Sequence, residues 1–142
     1  MMDCPECGAA DHACENRYHE CLAKEFSEAD YGAVHHLTVA TYMLQHSSKL
    51  TREGWVFERE LLKDFLVNHK DPASVRLENK DKLDSGKRQF KIASDDGQPK
   101  IDRREWTKTI LDVRLDDLES YRRDVTAWAE AALEDAEACK IL

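Results

Sequence analysis

Apolar residues recur at intervals of three and four along most of this chain, which is the pattern of helices with one buried face. The pattern predicts helices over residues 14–30, 33–48, 50–71 and 115–140. Asp71 and Pro72 suit the N-cap and first turn of a further, shorter helix. Only five Gly and three Pro occur in 142 residues, so strand-and-turn architectures are disfavoured. The chain is therefore predicted to be mainly α, a small helical bundle.

The first two predicted helices are joined so closely that they must run antiparallel as a hairpin. Gly32 ends the first helix, and the second begins at once. The buried stripe expected on the first helix consists of Cys14, Tyr18, Cys21, Leu22 and Phe26. The second helix has two neighbouring faces, one with Val34, Leu37, Thr41 and Leu44 and the other with His35, Val39, Tyr42 and His46. If the chain reverses near residues 30–31, position 14 lies opposite position 47.

The longest break between helices covers residues 84–102, where Asp96 and Gly97 form a turn signal. Residues 89–94 could form a strand or an extended loop, and the β-branched stretch at 106–113 could pair with it. The sequence thus leaves room for a short two-stranded β element near residues 88–113. It shows no repeat or low-complexity segment, so residues 1–142 are predicted to form a single domain.

The composition is acidic, which narrows the classes of partner. Charged residues make up 35% of the chain and its net charge is −8, which opposes binding to a phosphate backbone. Two short basic runs, at 102–104 and 121–123, have acidic residues around them, so nucleic acid is disfavoured as a partner. No apolar run approaches the ~20 residues that cross a bilayer, and no signal-peptide core is present. We therefore expect a cytoplasmic protein without membrane contact, where disulfides are rare.

Three of the five cysteines lie in the stretch CPECGAADHAC near the N-terminus. Cys4 and Cys7, with two residues between them and a glycine after them, form the pattern of a zinc knuckle, in which both thiolates bind one Zn²⁺ at ~2.3 Å. Cys14, at the start of the first predicted helix, is the expected third ligand. A thioredoxin-like redox motif is disfavoured because no strand precedes Cys4. Cys21 and Cys139 fit the ordinary role of small buried side chains.

A structural zinc site requires four ligands, so one more side chain must complete the set. The candidates are His12, His19, Cys21, His35, His36 and His46. On one helix, His19 diverges from Cys14 by ~140°, and Cys21 lies ~10.5 Å farther along the axis. The hairpin register instead brings His46 beside Cys14 and leaves His35 at the far end. The predicted zinc ligands are therefore Cys4, Cys7, Cys14 and His46, with His35 as the alternative fourth ligand. Such a site would attach the N-terminal arm, residues 1–13, to the open end of the hairpin.

These segments resemble an uncharacterised bacterial family described as a domain of unknown function. The family pattern combines a CPxCG knuckle, a Cys before a helix, a helix of the form HxLTVxxYxxQH, and later DV and VxxWA segments. The matching residues here are Cys4, Cys7, Cys14, His35–His46, 109–113 and 125–129. The family usually has proline after its QH pair where this chain has Ser47, so the end of this helix is expected to be looser. The resemblance implies no activity, but it marks both His35 and His46 as residues of interest.

The function that these patterns favour is a zinc-binding helical module without catalytic activity. A closed Cys₃His site contributes folding energy and leaves no coordination position for chemistry. The acidic surface suits a protein partner or a second copy of the chain. Redox sensing by the zinc thiolates would use the same residues, so the sequence does not separate it from a structural role.

The alternative is a metal-dependent enzyme with an open metal site. A small helical bundle with inward histidines is weakly similar to the DinB-like metalloenzymes, which bind a catalytic metal with three histidines between helices. Here His35 or His36 would need His19 and His69 from other helices. The hairpin register also sets residues 25–28 opposite 33–36, so that a glutamate there could orient a histidine. The sequence alone does not decide whether the protein is an enzyme.

Overall fold

The computed structural model describes residues 2–84, 91–102 and 105–142. These residues form a mainly helical small bundle, which confirms the predicted fold class. The α-helices are α1 (Cys14–Ser27), α2 (Ala29–Gly32), α3 (His35–Leu44), α4 (Arg52–Leu66), α5 (Pro72–Asp84) and α6 (Leu118–Glu137). Single 3₁₀ turns cover Ala10–His12, Ser47–Lys49 and Ile110–Asp112. Residues 103–104 of the first basic run and 89–90 of the predicted strand lie outside the described residues.

Helices α1 and α3 pack antiparallel, as the short connection predicts. Tyr18 of α1 stacks on Tyr42 of α3, with ring centroids 3.8 Å apart and planes within 2° of parallel. Toward the connection, the Phe26 ring lies 5.2 Å from that of His35. The first helix is shorter than predicted because Glu28 is extended and ends α1 at Ser27, after which the short α2 makes the reversal.

The buried stripe of α1 differs from the prediction at its C-terminal end. Phe26 is 75% exposed, whereas Glu25 is only 4% exposed and takes the inward position. The Glu25 carboxylate accepts hydrogen bonds from Thr38 Oγ1, His35 Nδ1 and Tyr121 Oη. Burial of this acid is possible because these three donors replace water. Positions 14, 18, 21 and 25 lie on one face of the helix at intervals of three and four residues. The spacing, and not the apolar character of Phe26, therefore identifies the buried position.

The second helix also ends earlier than predicted, at Leu44 instead of near residue 48. His46 leaves the helix with φ −128° and ψ 62°, and its Nδ1 donates to the Tyr42 carbonyl at 2.6 Å. The imidazole thus satisfies a carbonyl that the helix end leaves without an amide partner. Since the helix has already ended, Ser47 does not loosen it as expected. Its Oγ instead accepts the Lys100 amide at 3.0 Å.

Two capping side chains set the starts of later helices. Thr51 accepts the Gly54 amide at 2.9 Å, so α4 begins at Arg52. Asp117 accepts the Ser120 amide at 2.9 Å, so α6 begins three residues later than the predicted residue 115. Helix α5 begins at Pro72, as predicted.

Helix α6 supplies much of the buried core and packs against α3 and α4. Its buried side chains are Tyr121, Val125, Trp128, Ala129, Ala132, Leu133 and Ala136.

Two indole N–H groups connect the end of α3 to its neighbours. Trp55 donates to the Leu44 carbonyl at 3.0 Å, and Trp128 donates to Gln45 Oε1 at 3.1 Å. Gln45 in turn donates to the Lys108 carbonyl at 2.8 Å, so its buried amide is satisfied on both sides.

The predicted pairing of residues 89–94 with 106–113 is wrong for the described residues. Ala93 forms an isolated antiparallel bridge with Leu50 instead. The stretch at 106–113 contains a 3₁₀ turn, with its start capped by Thr109. The β-branched residues of this stretch include Ile110 and Val113, which are both buried in the core between the helices. Their side chains indicated a strand in the sequence, but here they serve core packing.

The close approach of two backbones at Gly54 provides a test of the fold. A Cβ at this position would lie 2.2 Å from the Ile92 carbonyl oxygen. We expect Gly54→Ala to lower the free energy of unfolding by about 1–3 kcal/mol, because the backbone contact outweighs the better helix propensity of alanine. Urea denaturation followed by circular dichroism measures this. The exposed neighbour Glu53→Ala is the control and should change stability by less than about 0.5 kcal/mol. Equal stability of Gly54→Ala and wild type would contradict the packing of residue 92 on α4.

Candidate metal centre

The knuckle is a tight turn that directs backbone N–H groups at two sulfur atoms. The Gly8 amide donates to the Cys4 carbonyl at 2.9 Å, and the Cys4 amide donates to the Ala9 carbonyl at 3.0 Å. Gly8 has φ +82°, a conformation that favours glycine. The Cys7 amide lies 3.5 Å from Cys4 Sγ, and the Ala9 amide lies 3.4 Å from Cys7 Sγ. These amides stabilise negative charge on both sulfurs.

The fold brings four potential metal ligands together. The Sγ atoms of Cys4, Cys7 and Cys14 and a ring nitrogen of His46 all lie within 4.8 Å of one another. All four residues are buried, with exposed fractions between 1% and 3%. Cys14 is the first residue of α1, and His46 follows the end of α3, so the antiparallel packing of the two helices places them side by side. The group is therefore close enough to hold one metal ion.

The orientation of His46 is set by its second ring nitrogen. Its Nδ1 donates to the Tyr42 carbonyl, and its Nε2 faces Cys4 Sγ at 3.8 Å. The imidazole also stacks on the Tyr42 ring at 4.1 Å. A backbone carbonyl that fixes the tautomer in this way is the usual support of a metal-binding histidine. Nε2 is thus the atom available to a metal.

The four groups are electrostatically coupled. Burial raises the pKa of the Cys4 thiol, but hydrogen bonds with His46 and with backbone amides outweigh burial and lower it to about 5. Burial lowers the pKa of His46, whereas its hydrogen bonds with Cys14, Cys4 and Cys7 raise that pKa to about 12. Burial raises the pKa of Cys7. The cluster therefore favours a thiolate paired with an imidazolium, and a metal ion would have to displace the imidazolium proton.

The knuckle is attached to the rest of the chain by a residue that the sequence pattern does not single out. Glu6, between the first two cysteines, accepts hydrogen bonds from the Ser48 amide at 2.9 Å and from Ser48 Oγ at 2.7 Å. Its backbone carbonyl accepts the Trp106 indole N–H at 3.0 Å. Glu6 thus connects the arm to the segment just beyond His46. Sequence spacing carries no signal for it, because its partners lie 42 and 100 residues away.

The other candidate ligands lie elsewhere. His35, the alternative fourth ligand, pairs with Glu25 at 2.7 Å, which confirms the predicted nearness of a glutamate on α1 to this histidine. His12 and His19 are exposed, and His12 has φ +55°. Within residues 2–84, 91–102 and 105–142, the cysteine–histidine cluster is the one group of three or more such side chains that could share an ion. The four histidines of the DinB-like alternative do not converge there.

Comparison with known protein families supports the resemblance stated above. A family model matches residues 2–137, nearly the whole chain. The chain belongs to DUF5946, a family of unknown function. Membership in DUF5946 supplies no activity, so the chemistry has to be argued from the site itself. No curated protein and no solved structure matches the chain significantly. Among the described residues, no helix is long and apolar enough to cross a membrane.

The contact between Glu6 and Ser48 predicts a measurable coupling across the knuckle. We expect Glu6→Ala to lower the free energy of unfolding by about 1–3 kcal/mol, because two charge-assisted hydrogen bonds are lost. Ser48→Ala should cost less, and the double variant should cost less than the sum of the two single variants. A double-mutant cycle by urea denaturation measures this coupling, with the exposed Glu20→Ala on α1 as a control for removal of one acidic charge. Strictly additive effects would show that the two side chains act independently.

Proposed function

We propose that this DUF5946 protein is a helical domain organised around one structural zinc ion, bound by Cys4, Cys7, Cys14 and His46. The observation that carries the proposal is the convergence of four buried ligand atoms within 4.8 Å of one another. Three sulfurs and one imidazole nitrogen match the ligand number and type of structural zinc sites.

The donor chemistry favours zinc over the other common metal ions. Calcium and magnesium prefer oxygen ligands, and the cluster contains none. Thiolate and imidazole ligands in a compact set of four suit tetrahedral zinc. None of the five cysteines forms a disulfide, which suits a reducing compartment and supports the proposed cytoplasmic location.

A structural role is favoured over a catalytic one because four protein ligands complete the coordination of zinc. A catalytic zinc keeps one position for water or substrate, whereas four buried side chains are available here to fill all four positions. The ligands come from three segments, the knuckle, the start of α1 and the end of α3, so an ion would join an arm of little secondary structure to the bundle. The role proposed for zinc is to hold that arm in place.

The prediction that the domain binds a protein partner, or a second copy of itself, becomes part of this proposal. A groove of about 550 Å³ runs along the knuckle, lined in part by Asp3, Glu6, Glu105 and Trp106. Acidic side chains beside an aromatic ring suit a basic peptide segment better than a nucleic acid. A zinc-held arm would then form one wall of the binding surface.

Metal analysis of single variants tests the ligand set. Mass spectrometry of the wild-type protein should find one zinc per chain, and X-ray absorption at the zinc edge should show three sulfur and one nitrogen neighbours. His46→Ala should lose zinc and stability, whereas His35→Ala and Cys139→Ser should keep full zinc content. A site with oxygen neighbours, or zinc loss in His35→Ala with full retention in His46→Ala, would overturn the proposed ligands and favour an open site.

The pH dependence of zinc affinity is a second test. Protons compete with zinc for the three thiolates and for the imidazole, so zinc affinity should fall as pH falls. A chromophoric chelator titrated against the protein at pH 8 and at pH 6 measures this. Removal of zinc at pH 8 should also lower the thermal midpoint, because the binding free energy contributes to folding. A midpoint that is unchanged after complete zinc removal would show that the ion has no structural role.

A further inference from the structure

A second candidate site is a cleft of about 240 Å³ between α3, α4 and α5, which shares no lining residue with the metal centre. Its apolar wall consists of Val39, Ala40, Leu61, Phe65, Pro72 and Val75. Polar side chains of five residues also line it, namely His35, His36, Glu58, Arg76 and Asn79. An apolar cleft with a few converging polar groups is the usual form of a small-molecule site. This cleft is smaller than the ~300–1,000 Å³ of pockets for drug-sized ligands, so a ligand would have to be short.

His35 is held in the wall of this cleft by a buried acid. Its Nδ1 lies 2.7 Å from Glu25 Oε1, and the Glu25 side chain has no solvent exposure. The same carboxylate is fixed by Thr38 Oγ1 at 2.6 Å and by Tyr121 Oη. Nδ1 is occupied by Glu25, so Nε2 is the ring nitrogen left for a ligand, an acceptor when the ring carries one proton, and the imidazole remains 35% exposed. The cleft thus offers a fixed acceptor to a ligand that carries a donor.

Glu58 supplies a second acceptor in the same cleft. No residue within the described parts of the chain forms a hydrogen bond or an ion pair with its carboxyl group. Burial raises the pKa of Glu58 to about 7. A cation that entered the cleft would stabilise the ionised carboxylate. Such a ligand would supply the partner that this acid lacks.

The remaining charges and rings of the cleft are compatible with a cation. Burial lowers the pKa of His36, and this ring, neutral at pH 7, packs edge-on against Phe65 at 4.6 Å. Arg76 is the opposing charge, but it is an exposed residue on α5. The net charge of −8 attracts cations to the protein as a whole. The Phe65 ring could add a cation–π contribution.

We propose that this cleft binds a small organic amine with an apolar body, whose ammonium group donates to the Glu58 carboxylate and to His35 Nε2. The branched aliphatic chain of such a molecule would contact the apolar wall of the cleft. The proposal rests on the geometry of α3, α4 and α5, and it is independent of the proposed zinc site.

Titration of the purified 142-residue protein with 3-methylbutylamine tests the proposal. Amide resonances in two-dimensional NMR spectra should shift around His35, Phe65 and Val75. The neutral analogue 3-methylbutanol and the anionic analogue 3-methylbutanoate should bind at least about tenfold more weakly, because neither supplies a charge-assisted donor. The absence of shifts up to about 10 mM amine, or equal binding of either analogue, would overturn the proposal.

Matched variants locate the ammonium group. Glu58→Gln keeps the side-chain shape and should weaken amine binding about tenfold or more, while Glu60→Gln, an exposed change on the same helix, should leave it unchanged. His35→Gln is the second variant and should weaken binding as well, which keeps the test decisive if either protein folds poorly. Unchanged affinity in a folded Glu58→Gln protein would overturn the assignment of the carboxylate.

Discussion

The end of α3 is the point on which most of this structure depends. Three consecutive residues there face three different parts of the molecule. The Leu44 carbonyl receives the Trp55 indole of α4, the Gln45 amide joins Trp128 of α6 to the 106–113 segment, and His46 turns toward the cysteines. Because these contacts use polar groups with strict geometry, the helix end fixes the positions of its neighbours relative to one another. Hydrophobic packing alone would permit more sliding of one helix past another.

Several buried polar groups of the protein follow one physical rule, in which partners satisfy most of their donors and acceptors. Thr41 Oγ1 and Arg59 Nε are exceptions, since both are buried without a hydrogen-bond partner. Glu25 has three donors, Gln45 has one donor and one acceptor, and Glu6 receives two hydrogen bonds through its side chain. The cost of removing each group from water is therefore offset by specific bonds. Glu58 departs from this rule, and it lines a cleft that is open to solvent. The fold thus provides hydrogen-bond partners for Glu25, Gln45 and Glu6, whereas a ligand could provide one for Glu58.

The two histidines that the family resemblance singles out have opposite environments. His46 is almost fully buried, with one nitrogen on a carbonyl and the other facing thiolates. His35 is half-buried, with one nitrogen on a buried carboxylate, and it lines a cleft. The first arrangement suits a closed site, and the second suits a site that exchanges with solvent. The two histidines thus lie near opposite ends of α3.

Local pattern in the sequence was sufficient to predict the helices, their antiparallel order and the nearness of residue 14 to residue 46. These features follow from a repeat of 3.6 residues and from a connection too short for any other arrangement. The local pattern did not predict three other features of the structure. These are the burial of Glu25 in place of Phe26, the early end of α3 at Leu44 and the contact of Glu6 with Ser48. Each depends on a hydrogen-bond partner that lies 10 to 96 residues away, or on a ring that turns back onto its own helix. The sequence by itself determined which segments are helical and which cysteine and histidine side chains could serve as metal ligands. Only the tertiary structure decided which polar side chains are buried, because that choice depends on partners that folding alone brings together.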